Sequence, residues 1–450
     1  MTHKQNRRRF IKTTAAASAA GAGFFASSAP RVSRAANEQI AFACIGIGGK
    51  GSSDSADAEK NGDIVAICDI DQDRLDGAGK KEGFTKAKSY NDWRKMIDEM
   101  ADSIDAITVS TPDHSHGVAA GGSIAAGKHT FVQKPMTRTI WEARQLGLLA
   151  KKHEVKTMMG NQGTALPGLR KAAATIKQGA LGTVTDVHVW TNRPVWPQGG
   201  ERPAEAEVPE GLHWDLFLGP AKDRPYGRGY HPFSWRGWWD FGTGALGDMA
   251  CHTVNMPFMG LNLRDPVAVT AETAGHNKDS YPKWSKILFD FPELDGRPAL
   301  KLHWYDGGQR PDVSIFADGK FPSKTDRDGN KSIFKSGCLV VGGKGQLFSG
   351  DDYGAKYDLM GGAEQPEVEF EKSPGHFEEW VRAIKGGPEA TSNFVDYAGP
   401  LTETILLGNL SVWGGGRVDW DPKKLEPVGR PELMDLVRPE YRAGYEMPSV

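Results

Sequence analysis

The sequence predicts a two-domain α/β protein: a doubly wound parallel sheet over residues 36–160, then an α/β domain over 161–450 built on a largely antiparallel open sheet. Three observations predict it. The apolar run Ile40 to Ile45 breaks at once into Gly46, Gly48 and Gly51 in GxGxxG spacing. A second apolar run, Ile64 to Cys68, ends at an acid, Asp69. From there to residue 160, short strand-like runs alternate with helix-like ones, and the pattern changes only at Leu166.

The chain opens on a basic stretch, Asn6-Arg7-Arg8-Arg9-Phe10-Ile11-Lys12, followed by an alanine-rich run to Ala29. This resembles a twin-arginine export signal over residues 1–35, with Arg7 and Arg8 as the pair. Its apolar part is too short and too weakly hydrophobic for a stable membrane span. Ser33-Arg34-Ala35 suits cleavage, so a mature protein beginning near Ala36 is expected outside the cytoplasm, periplasmic or otherwise extracytoplasmic. The export machinery is then a partner. That route carries proteins that fold before crossing, and a tightly held cofactor is one reason to use it.

Residues 1–35 hold seven Lys or Arg and no acid, so 48 basic against 57 acidic side chains remain, a balance of -9. That argues against nucleic acid as a partner. Cys44, Cys68, Cys251 and Cys338 lack metal spacing. Cys44 and Cys68 read as small hydrophobes in adjacent core strands, with a bridge left open by an oxidising compartment.

At the glycine turn, Gly46 permits the tight bend, Gly48 and Gly49 let backbone approach a pyrophosphate, and Gly51 lets the following helix sit close to the strand. The helix N-terminus offers its N–H groups to the anion. Asp69 falls where a ribose-binding acid belongs, and its charge opposes a 2′-phosphate, which favours NAD over NADP. The spacing makes residues 36–160 a Rossmann dinucleotide-binding domain. Its further elements are helices over 92–100, 115–126 and 140–152, and strands over 104–110, 129–133 and 155–159.

Beyond it, a helix over 169–178 leads to a strand over 184–190, then to a Pro- and Trp-rich stretch, 192–239, without periodicity. Alternation at 267–274, 285–291, 299–305, 337–341 and 368–371 predicts strands with one wet face. Helices are expected over 376–385 and 401–413, and an exposed loop over 320–332.

Three groups of residues fall where a reactive ring would lie: Thr111-Pro112-Asp113-His114-Ser115-His116 after one strand, Gln133-Lys134-Pro135 after the next, and the glycine-rich start of a helix carrying Asp248 and His252. Asp248 and His252, four apart, share a helix face. His114 and His116 find no third ligand at sensible spacing, so no metal is expected.

In order and spacing, the GxGxxG turn, the TPxxxH stretch, the Lys134-Pro135 pair and the DxxxH helix resemble the glucose-fructose oxidoreductase / inositol dehydrogenase / MocA family, Gfo/Idh/MocA. The resemblance spans nearly the whole mature chain. It implies an NAD(P)-dependent oxidoreductase that moves hydride between a tightly bound nicotinamide cofactor and a secondary hydroxyl of a sugar, glycoside or cyclitol. It also implies a homo-oligomer. Carried over, Lys134 donates to the reacting oxygen, His252 takes the hydroxyl proton, and Asp248 orients His252 or holds a neighbouring hydroxyl. Thr111, Pro112, His116 and Lys134 lie beside the cofactor.

Two departures stand out. Gln133 replaces the usual glutamate before Lys134, and Asn255 stands where many members carry an aspartate, at the substrate. Six of the thirteen tryptophans lie between 190 and 239. Core packing suits most of them singly, but with Arg193, His213, His231 and Arg236 among them they suggest a carbohydrate-sized pocket, for which His231, Trp235 and Arg236 are the substrate candidates. Two other functions stay open: glycoside hydrolysis or lysis by transient oxidation and elimination, and non-catalytic binding.

Overall fold

A computed structural model describes residues 39–450 apart from 295, 320, 321 and 326–330. The twin-arginine stretch therefore lies outside the described residues. The first sheet has six parallel strands: β1 (Ile40–Ile45), β2 (Gly62–Cys68), β3 (Lys88–Tyr90), β4 (Ala106–Val109), β5 (His129–Val132) and β6 (Thr157–Met159), in the order β3-β2-β1-β4-β5-β6. Strand order reverses between β1 and β4, the switch point where open α/β sheets hold ligands.

Five helices connect the strands: α1 (Lys50–Asn61), α2 (Gln72–Gly79), α3 (Trp93–Met100), α4 (Asp113–Ala125) and α5 (Ile140–Lys152). Parallel strands need such crossovers, and both sheet faces must be covered. Helices α3, α4 and α5 cover one face with Met96, Val118, Ala119 and Leu146. The opposite face, with Phe42, Ile67 and Phe131, receives Ala58 of α1 and Leu75 of α2. Its remaining cover is Phe377 and Trp380 from α10 (His376–Ile384), a helix more than 200 residues downstream of β6.

The second domain begins with α6 (Pro167–Lys177), β7 (Val184–Trp190) and the short α7 (Trp214–Leu218), then α8 (Gly244–Thr253) and α9 (Asn255–Leu261). Strands β8 (Ala268–Thr273), β9 (Ser285–Phe291), β10 (Leu300–Tyr305), β13 (Gly337–Gly342), β14 (Gly345–Ser349), β15 (Asp358–Met360), β16 (Gly416–Asp421) and β17 (Glu426–Pro427) complete a nine-stranded sheet, order β15-β14-β13-β7-β10-β9-β8-β16-β17. Only β7 and β10 pair in parallel. One face, with Val187, Val189, Phe289, Leu302 and Trp304, packs with Leu246 of α8 and with Leu401, Ile405 and Leu406 of α11 (Gly399–Gly414) in the main core. The other carries the exposed Lys301, the part-exposed Asp186 and His303, and the buried His188.

Two expected elements differ. Residues 368–371 form no strand: the alternation Val-Glu-Phe-Glu belongs to a crossing segment, whose Glu371 carbonyl accepts from Arg170 Nη1 at 3.1 Å. The stretch 320–332, expected as a loop, carries the start of a small ribbon, β11 (Ser323–Thr325) antiparallel to β12 (Lys331–Ile333). All four cysteines are free and buried. Among the described residues no helix is long and apolar enough to cross a membrane.

Candidate active site

A cavity of about 440 Å³ opens at the carboxyl edge of the parallel sheet, between the two domains' side chains. Its floor is the glycine turn. A Cβ on Gly46 would meet the Ser110 carbonyl oxygen at 2.5 Å, and one on Gly51 would meet the Gly46 carbonyl oxygen at 2.0 Å, so both glycines serve close backbone packing. Gly49 faces open space, with φ +54. Among the described residues no acceptor meets the N–H groups of Gly48 and Gly49. A bare turn with unsatisfied donors at the start of α1 fits a pyrophosphate.

Asp69 lines the cavity, but most of its carboxylate faces inward. Oδ2 accepts from Ile47 N at 3.0 Å and Oδ1 from Asp71 N at 3.1 Å, so the acid also braces the turn. Burial pushes its pKa up, against the pull of Arg74 and these two bonds. Arg74, which spacing did not single out, lies over Gly48, with a terminal nitrogen 2.4 Å from where a Cβ would stand.

The chemistry gathers around Lys134. Its Nζ donates to Asp248 Oδ1 at 2.8 Å and to the Asp248 carbonyl at 3.0 Å. Arg236 Nε donates to the same Oδ1 at 3.3 Å, and Arg193 Nε stands 4.0 Å from Oδ2. Burial opposes the charge on Asp248, but Lys134 and Arg236 outweigh it and hold its pKa down to about 2. His252, one helical turn on, lines the same cavity edge-on to Tyr353, ring centres 4.9 Å apart. Its pKa is driven well down, first by burial and then by the Lys134 charge. The Asp248 carboxylate thus grips Lys134 and Arg236 and makes no hydrogen bond to His252, whose Nδ1 has no partner among the described residues. Of the two roles expected for Asp248, orienting His252 or holding a neighbouring hydroxyl, the first is not served by a hydrogen bond here.

Gln133 has its own explanation here. Its Nε2 donates to Asp54 Oδ2 at 2.9 Å, and Ser110 Oγ donates to that oxygen at 2.7 Å, while Lys50 pairs with Oδ1. The negative charge that a glutamate would bring stands on α1 instead. A carboxylate at 133 would face Asp54.

Two candidates are structural. His116, expected beside the cofactor, is 1% exposed, and its ring nitrogens stand 2.8 Å from the carbonyls of Pro135 and Thr111, bracing one loop against the other. Burial holds it neutral, at about 4. Asn255, expected at the substrate, is fully buried: Nδ2 donates to Thr164 Oγ1 at 2.8 Å and Oδ1 accepts from Tyr397 at 2.5 Å. Of the six clustered tryptophans only Trp235 lines the cavity, with the Arg236 guanidinium 4.2 Å over its ring. Trp190 and Trp239 sit in other cores, and Trp214 and Trp238 fill an aromatic cluster with Tyr230 and Phe241.

Thr111, Pro112, His231 and Arg236 do line the cavity. So do Phe233 and Tyr353, which no motif marked, and Asp113, which lies in the TPxxxH stretch but was given no role. Asp113 Oδ2 accepts from Thr243 Oγ1 at 2.6 Å, and burial raises its pKa to about 6. Phe233, 49% exposed, is the aromatic face at the mouth.

Residues 40–161 match the Gfo/Idh/MocA model described as an oxidoreductase family with an NAD-binding Rossmann fold. Residues 170–299 match its companion, described as the C-terminal alpha/beta domain. Together the matches span more than half of the chain. A levoglucosan dehydrogenase of Pseudarthrobacter phenanthrenivorans is 26% identical over 184 residues, 40% of this chain and 37% of that protein. A glycosyl hydrolase family 109 protein of Shewanella pealeana is 28% identical over 181 residues, 35% of this chain and 39% of that protein. The chain therefore matches well under half the length of these curated relatives. The solved WlbA dehydrogenase from Bordetella pertussis, in complex with NADH and UDP-GlcNAcA, shares the fold at a TM-score of 0.59 and 17% identity, covering 85% of this chain and 99% of that one.

Proposed function

Because this chain belongs to the Gfo/Idh/MocA family of NAD-binding oxidoreductases, we propose that it is an exported enzyme transferring hydride between NAD(H) and a secondary hydroxyl of a sugar, glycoside or cyclitol. The observation that carries the reading is that Lys134, held by Asp248 at 2.8 Å, and His252 both line the cavity floored by the glycine turn. When bound, the nicotinamide supplies the hydride acceptor. Lys134 donates to the substrate oxygen as it loses its proton and steadies the alkoxide. Asp248 holds Lys134 charged and in place. His252, kept neutral by burial, accepts the hydroxyl proton, and the Asp248 charge favours the imidazolium as it forms.

The preference for NAD over NADP rests on Asp69, fixed to the turn by two backbone bonds, whose charge opposes a 2′-phosphate, although Arg74 over Gly48 would suit one. Export rests on the Arg7-Arg8 motif. Outside the cytoplasm free NAD is scarce, so the cofactor travels with the folded protein and is recycled in place. Purified protein is denatured and its supernatant assayed enzymatically for NAD and NADP. About one NAD per chain supports the reading, and a supernatant without nicotinamide nucleotide sinks it.

The match to a glycosyl hydrolase family 109 protein favours a second reading, glycoside cleavage by oxidation, elimination and re-reduction. Aglycone release from aryl glycosides without net NADH would select it. Every activity surviving Lys134→Ala and His252→Ala would instead mean binding alone.

A further inference from the structure

On the wet face of the nine-stranded sheet, away from the cavity described above, Asp186, His188 and His303 form the one group of three metal-ligating side chains among the described residues. The parallel ladder between β7 and β10 sets His188 directly beside His303. Their rings stack, centres 4.3 Å apart and planes 10° from parallel. His303 Nε2 donates to Asp186 Oδ1 at 3.0 Å, and the Tyr305 hydroxyl engages His188 Nδ1 at 3.2 Å, leaving His188 Nε2 as its free ring nitrogen. One ligand atom from each of the three residues lies within 4.8 Å of the other two.

We propose that Asp186, His188 and His303 are a binding site for a divalent transition metal, zinc being the best match. Two borderline imidazole nitrogens and one hard carboxylate oxygen are all donors that zinc takes, and three protein ligands leave a fourth position for water. Ligand atoms on a tetrahedral zinc, each about 2.0–2.1 Å from the ion, stand about 3.3 Å apart. The His303–Asp186 hydrogen bond at 3.0 Å is already near that separation, so an ion replacing its proton needs little movement there. His188 closes the site by turning about its own side chain. The Tyr305 hydroxyl on the opposite nitrogen is the kind of outer-shell contact that metal-bound histidines ordinarily have. The site sits apart from Lys134 and His252 and plays no part in hydride transfer.

Chelator-stripped full-length protein is titrated with zinc chloride by calorimetry, with saturating NAD present. One zinc per chain is expected, weakened at least tenfold by His303→Ala and by the nearly isosteric Asp186→Asn, and retained in His252→Ala. Thermal melts of each variant without metal check folding; both replaced side chains are part-exposed, so one folded variant suffices. The proposal fails if the parent chain binds no stoichiometric zinc, in which case the three residues are a hydrogen-bonded cluster only, or if a folded variant binds as the parent does.

Discussion

Lys134 and Asp248 divide the work at the residue scale, because one salt bridge sets both an ammonium's aim and a carboxylate's charge. Lys134→Met removes the donor to the reacting oxygen, and kcat is expected to fall by about 10²–10³ with little change in NAD affinity, read by stopped-flow absorbance and fluorescence titration. The same pair fixes an acid limb. Asp248 titrates at about 2 in the folded chain against its ordinary value of 3.8, so its stabilisation is full above that value and is lost as pH falls towards 2. In Lys134→Met the carboxyl titrates higher, and acid unfolding, followed by circular dichroism, begins at higher pH. Gln133 carries a second prediction. Gln133→Glu sets a carboxylate against Asp54, where an amide now donates at 2.9 Å, and is expected to cost about 1–3 kcal/mol in urea denaturation near pH 8. Lys134, Asp248 and His252 were legible through the Lys-Pro and DxxxH motifs that carry the family resemblance, although only the fold brings Lys134 to Asp248, 114 residues on. Asp54, 79 residues from Gln133, was not, since only the folded sheet brings the two together.

Turns and helices show the same division at the scale of the element. The glycine turn follows from local sterics: Gly51→Ala would place a Cβ 2.0 Å from the Gly46 carbonyl oxygen and push α1 off β1. Its expected result is loss of nucleotide from the purified protein together with a drop of several degrees in melting temperature, seen by scanning calorimetry. Strand β7 and helix α5 have the bounds that periodicity predicts, Val184–Trp190 and Ile140–Lys152. In α5 the Thr139–Glu142 capping box marks the start in the sequence itself. Residues 368–371 alternate just as well and yet form no strand. Alternation reports which side chains want burial; it does not supply a strand with free hydrogen-bonding groups to pair with.

At the scale of the whole molecule, the first sheet depends on a helix from the far end of the chain. Trp380 of α10 is fully buried against Phe42 and Phe131, ring centres 5.8 Å from each. Trp380→Ala is expected to cost about 3–5 kcal/mol, measured by urea denaturation. Because α10 covers the face opposite α3, α4 and α5, the loss should appear in hydrogen exchange of β1 and β5 ahead of the nine-stranded sheet. The sequence by itself determined the α/β class and the order of strands and helices around the glycine turn, because both are written in short-range spacing; it marked Lys134, Asp248 and His252 as candidates through motifs shared with a family. Tertiary structure alone decided that α10 closes the first sheet, that His116 and Asn255 are braces, and that Asp248 binds Lys134 and Arg236 and forms no bond to His252. Those outcomes depend on which distant groups share a buried volume, where an unpaired polar atom is costly and each partner is taken by whichever neighbour the packing brings within reach.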